Sequence, residues 1–158
     1  MFGFSGEPLE ENAMHRFLIG VFVLLSAVMQ PVIAGPLDEA KAKAHLDAVA
    51  AGDLEALMRD YAEDAYMDWV GGPLDGRYRG KAAIGAVWQK FIAANAGKPR
   101  PAKFGKLESY ANPKGASMEA TAEYGGTPAV KVWHVLTYRD GSLSTEIWQV
   151  SPAIMVAP

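Results

Sequence analysis

The chain has 158 residues, no cysteine, ten prolines and a formal charge of −3 from 15 basic and 18 acidic side chains. That length suits one ordinary domain, and a hydrophobic content of 50% with 21% charged residues excludes a disordered tail. The weak negative charge gives no footprint for nucleic acid, and the lack of Cys excludes a disulfide frame, a thiolate metal site, an iron–sulfur cluster and a cysteine nucleophile.

Residues 17–29 form a continuous apolar run after His15 and Arg16, too short to cross a hydrocarbon core of ~30 Å comfortably. The run ends at Pro31-Val32-Ile33-Ala34, whose small-residue spacing fits a signal peptidase site after Ala34. Met14–Ala34 therefore reads as a cleavable secretory signal, with an uncleaved anchor as the alternative. The residues before Met14 carry Glu7, Glu10 and Glu11 and no base, which is wrong for a signal, so Met14 competes with Met1 as the start. The expected plan is an extension and signal at 1–34 and one domain at 35–158. Without residues 1–34 the chain keeps 124 residues and a charge of 14 minus 15, or −1. A nearly neutral, Cys-free exported domain suits a bacterial periplasm, with membrane contact only through the signal before cleavage.

Three helical patterns open the domain. The first runs from about Leu37 to Ala51, rich in Ala, and stops at Gly52. Asp53 is a good N-cap for the second, which places Leu54, Leu57, Met58 and Tyr61 on one apolar face. Tyr66–Val70 reads as a short strand closed by Gly71-Gly72-Pro73. Tyr78 and Arg79 lead into a third helix from about Lys81, with Ile84, Val87, Trp88 and Phe91 in helical repeat. Beyond Gly97 and Pro99 the period becomes two, and 104–111, 116–124, 129–138 and 143–150 read as strands joined by Asn-Pro-Lys-Gly, Gly-Gly-Thr-Pro and Arg-Asp-Gly-Ser turns. Short turns between sequential strands predict an antiparallel meander, and the whole an α+β domain with helices on one face of the sheet.

Three stretches carry a resemblance: Ala51-Gly52-Asp53-Leu54 with Ala56-Leu57 and Tyr61-Ala62-Glu63-Asp64-Ala65; Gly76 through Ile84; and Tyr138-Arg139-Asp140-Gly141-Ser142-Leu143 followed by Trp148. Over about 37–152 the chain resembles the nuclear transport factor 2-like superfamily, closest to the SnoaL-like proteins and ketosteroid isomerases. The resemblance implies a cone-shaped curved antiparallel sheet packed on three N-terminal helices, with a mostly apolar pocket and commonly a homodimer formed through the sheet. It spans isomerases, cyclases, dehydratases, epoxide hydrolases and binding proteins without chemistry, so it assigns no reaction. Laid over the isomerases, their helix-borne oxyanion Tyr falls on His45, their general base on Trp69 with Asp68 one residue earlier, and their second oxyanion donor on His134. All three positions differ, so steroid isomerisation by that mechanism is disfavoured.

His134 alternates with Val132, Leu136 and Tyr138 on the face the resemblance points inward. An imidazole there is either an acid or base or a satisfied core histidine. Glu146 alternates with Trp148 and Val150, and the 129–138/143–150 hairpin can bring it beside His134 as a proton-handling pair. The alternative is a solvent-facing glutamate at the pocket mouth. His45, one turn before Val49, is either a third polar group or a helix-surface histidine. Asp68 has outward parity unless a bulge near Gly71-Gly72 turns it. Tyr61, Met67, Trp69, Trp88, Val132, Leu136 and Trp148 are the expected pocket lining, either as ligand contacts or as plain core. Trp133 has the opposite parity and suits a dimer face. The basic residues Lys98, Arg100, Lys103 and Lys106 read as a solvated loop and strand edge. The three histidines lack metal-ligand spacing, and no metal or cofactor is expected. The expected function is binding of a small, largely apolar molecule, with cofactor-free acid–base chemistry of isomerase, cyclase or lyase type. The alternative is a non-catalytic binding or dimeric interaction module.

Overall fold

The computed structural model describes residues 36–157; the expected signal segment lies outside the described residues. Helix α1 (Pro36–Ala51) buries Ala42, His45, Leu46 and Val49, spaced along one side. Gly52 ends it at φ +68, in the left-handed region that glycine adopts without strain. Asp53 then caps α2 (Leu54–Met58), its side chain accepting from Ala56 N at 3.0 Å.

The second helix is shorter than its apolar spacing predicts. It closes at Met58, and Tyr61 opens strand β1 (Tyr61–Val70) instead of ending a helix. The competing interaction is the sheet: Tyr61 pairs with Leu143, and Leu143 N donates to Asp60 O at 2.7 Å. A hairpin leads to β2 (Gly76–Arg79), a strand the sequence pattern did not separate from the next helix, α3 (Lys81–Ala93). Ile84, Val87, Trp88 and Phe91 form the buried stripe of α3, as their spacing predicts.

The expected strand 104–111 is two strands, β3 (Ala102–Phe104) and β4 (Glu108–Asn112), both pairing with β5 (Gly115–Tyr124). Between them Gly105 N donates to Thr121 O and Lys106 N to Ala157 O, so the C-terminal tail occupies the break. Strands β6 (Val130–Arg139) and β7 (Ser142–Val150) complete the meander through a two-residue turn in which Asp140 and Gly141 both have positive φ.

The sheet order is β2-β1-β7-β6-β5-β3, with β4 also on β5. The meander is antiparallel as expected, but β1 joins β7 in parallel, so the curved sheet is mixed. Local turns fix which strands are antiparallel neighbours; the docking of β7 beside β1, some eighty residues apart, is a tertiary event. Two irregularities bend the sheet. The β1/β7 register shifts between Tyr61 and Tyr66, and Ser144 is an extra residue opposite Thr137 and Tyr138. The second bulge puts both Leu143 and Glu146 on the buried face.

Candidate functional site

Three elements converge on Glu146. Its side chain is fully buried on β7. One carboxylate oxygen, Oε1, lies 3.2 Å from His45 Nε2 on α1 and 3.6 Å from His134 Nδ1 on β6. The other, Oε2, accepts from the Tyr61 hydroxyl at the start of β1. Tyr61 is itself held by Trp88 of α3, whose Nε1 donates to the hydroxyl at 3.0 Å. On the far side of His134, Nε2 lies 3.1 Å from the Tyr124 hydroxyl on β5.

The electrostatics follow from burial and this donor set. Burial by itself pushes the Glu146 carboxyl up, but His45 and His134 outweigh it and bring the group down to about 2. Burial lowers the His134 imidazole below its ordinary 6.5 against the opposing pull of Glu146. Burial, then the charge of Glu146, raises Tyr61 and Tyr124 well above an ordinary phenol, so both stay O–H donors. A neutral His134 with its proton on Nδ1 suits both neighbours, facing the carboxylate with N–H and accepting from Tyr124 through Nε2. The arrangement is an anionic carboxylate ringed by donors, able to hold or pass a proton between Glu146 and either imidazole.

The expected convergence of His134, Glu146 and His45 is present in this geometry, and His45 is buried rather than on the helix surface. Asp68 does not join them. The β1/β7 register runs without interruption from Tyr66 to Val70, so no bulge turns it inward. It lies on the opposite face, bonded to Arg77 Nε at 2.9 Å and to the Tyr66 hydroxyl. Tyr124 was not singled out by its sequence pattern; alternation on β5 with Ala120 and Ala122 is the signal that gives its inward parity. Among the described residues no group of three or more His, Asp or Glu has a metal-holding arrangement.

The interior beside this network is filled by rings. Trp148 lies edge-on to His134 at 4.5 Å between centroids, packs on Trp88 at 4.8 Å, and meets Trp69 at 4.7 Å. Met67, Val132 and Leu136 are equally buried in this core. Of the seven residues expected to line a pocket, Trp69 reaches a cavity of about 300 Å³ at the end of the sheet where β1 and β7 finish and β6 begins. Tyr61, Met67, Trp88, Val132, Leu136 and Trp148 belong to the packing beneath it, because large rings occupy the space that the resemblance assigned to a ligand. Trp69 is anchored by Nε1 donating to Gly71 O at 3.1 Å, and Phe91 stands beside it at 5.5 Å. Leu74 from the β1–β2 loop and Val130 from β6 extend the apolar wall. The solvated-loop expectation fails for Arg100, which is buried and lines this cavity, while Lys98, Lys103 and Lys106 are exposed.

The profile of the SnoaL-like domain family matches residues 42–145. No curated protein matches the chain. Among solved structures it is similar to an NTF-2 like protein of unknown function from Burkholderia xenovorans LB400, at 20% identity and a TM-score of 0.59, covering 77% of this chain and 88% of that one. A SnoaL-like protein of unknown function from Burkholderia thailandensis E264 aligns at 19% identity and a TM-score of 0.57, covering 73% and 95%. A protein of unknown function with a cystatin-like fold from Nostoc punctiforme aligns at 15% identity and a TM-score of 0.56, covering 74% and 90%. These identities speak for the fold alone.

Proposed function

The chain belongs to the SnoaL-like domain family, and from that premise we propose that it binds a small molecule with a largely apolar body in the cavity floored by Trp69. The observation that carries this reading is the cavity itself: about 300 Å³, walled by Trp69, Phe91, Leu74 and Val130, and open to a ligand without displacing the core. Calorimetric titration with the neutral probe 2-naphthamide tests it. Saturable binding is expected, and Leu74→Trp, which fills the cavity, should abolish it. Absence of binding to the wild-type chain, or undiminished binding to Leu74→Trp, would refute the site.

A second reading is favoured by the Glu146–His45–His134 cluster. In it, a ligand that reaches past Trp69 undergoes cofactor-free proton transfer of isomerase, cyclase or lyase type. That reading requires Glu146→Gln and His134→Asn each to lower turnover by on the order of tenfold or more and to change its pH profile. Unchanged turnover in both leaves the binding module. Export with cleavage after Ala34, and a homodimer through the sheet face that carries Trp133, complete the proposal. N-terminal sequencing of the exported protein should begin at Gly35, and light scattering should give twice the chain mass.

A further inference from the structure

The walls of the Trp69 cavity carry an unbalanced charge. Arg100 is only 9% exposed, and its guanidinium lies over the Phe91 ring with Cζ 4.8 Å from the centroid. Its position is built from several sides. Its backbone N donates to Ala50 O at 2.7 Å, and its Nη1 donates to Gly125 O at 2.9 Å. Gly126, at φ +137, leaves room for the guanidinium: a Cβ there would collide with Nη1.

Yet among the described residues no carboxylate answers this cation. Among the described residues the lysine and arginine ion pairs use Lys41, Arg77, Lys81, Lys103 and Lys106, and Arg100 takes part in none. Among the described residues the cavity lining includes Arg100 and Lys90 but no Asp or Glu. A guanidinium has five N–H donors, and the carbonyl of Gly125 occupies one. Burying a cation without a counter-charge is costly, and a fold that holds one in place beside a cavity is arranged for an anion.

We infer that the cavity takes an organic carboxylate: an apolar body on Trp69 and Phe91, and a carboxylate head on the guanidinium of Arg100. This inference rests on the cavity being the binding site and adds the chemical class of its ligand. A carboxylate matches the planar fork of a guanidinium and carries one charge for one buried cation. A phosphate dianion would bring a second charge, which only the exposed Lys90 could meet. Burial also lowers the Arg100 pKa, in keeping with a charged group short of solvent.

The test is calorimetric titration of the full chain with three probes of one shape near neutral pH: naphthalene-2-carboxylate, 2-naphthamide and 2-naphthylmethylammonium. The carboxylate should bind about tenfold to a hundredfold more tightly than the amide, the usual weight of a charge-assisted hydrogen bond, and the ammonium weakest. Arg100→Gln should reduce the carboxylate to the affinity of the amide and leave the amide within about twofold, whereas Arg100→Lys should keep part of the preference. Lys98→Gln, a neighbouring exposed cation outside the cavity lining, should keep the preference whole. The wild-type comparison decides whether the cavity prefers an anion even where Arg100→Gln fails to fold. Equal affinity for carboxylate and amide overturns the anion inference and leaves the cavity site standing. Loss of the preference in Lys98→Gln overturns the role of Arg100. Failure of every probe at millimolar concentration overturns both the inference and the site.

Discussion

Glu146→Gln is the substitution on which the buried network makes its sharpest demand. Read from sequence, the change keeps size and leaves Trp148 and the inward aliphatics in place, so the fold should stay nearly intact. The structure raises the cost, because Glu146 is fully buried, its two oxygens bond to Tyr61 and His45, and His134 Nδ1 stands 3.6 Å away. Gln offers one acceptor oxygen, and its NH2 must face another donor. A carboxyl lowered from 4.5 to about 2 in the folded state contributes about 3 kcal/mol at neutral pH. The sign follows from a depressed pKa: that stability is present above the unfolded value and is lost as pH falls from 4.5 toward 2. Glu146→Gln should therefore cost about 3 kcal/mol at neutral pH, within the 5–15 kcal/mol typical of a domain, so the protein folds but is visibly weakened. With a urea m-value of about 2 kcal/mol/M, the midpoint should fall by about 1.5 M. Urea titrations followed by Trp fluorescence across the acid range give both quantities. The variant should also lose the steep acid limb between those two pH values. An unchanged midpoint together with an unchanged acid limb would refute an ionised, donor-ringed Glu146.

Asp68→Ala should cost less than about 1 kcal/mol in urea titration and leave 2-naphthamide affinity unaltered, because it lies on the outer face and its partner Arg77 is largely solvated. Trp88→Phe keeps a ring in the core but removes the N–H donated to Tyr61, and should lower stability by about 2 kcal/mol in the same assay. Gly141→Val forces a β-branched residue to φ +75 in the β6–β7 turn and should cost at least about 1–2 kcal/mol, read as a lower melting temperature. For His134 the folded pKa lies below 6.5, so its contribution is full above that value and declines as pH falls. His134→Asn should flatten the loss of stability as pH falls below about 6.5 in urea titrations.

Elements whose pattern is local are legible in the residues alone. The α3 stripe of Ile84, Val87, Trp88 and Phe91, the cap at Asp53, the stop at Gly52 and the β6–β7 turn at Asp140-Gly141 each follow from side-chain period or turn chemistry within a few residues. Strand parity also sent His134 and Glu146 to the same face, because alternation is fixed once a strand is paired on one buried side. Tertiary structure decided the rest. The apolar spacing of Leu54, Leu57, Met58 and Tyr61 fits a helix, yet pairing with β7 pulls Tyr61 into β1 and delivers its hydroxyl to Glu146. His45 looks like a helix-edge histidine until the folded sheet brings the Glu146 carboxylate to 3.2 Å from its Nε2. Arg100, between two prolines in a basic stretch, carries no local sign of burial. Its place over Phe91 depends on Ala50, Gly125 and Gly126, which reach it from α1 and the β5–β6 loop. Period and turn chemistry act between neighbours in the chain, whereas a buried charge is placed by partners far away in sequence, and those partners meet only when the sheet closes over the helices.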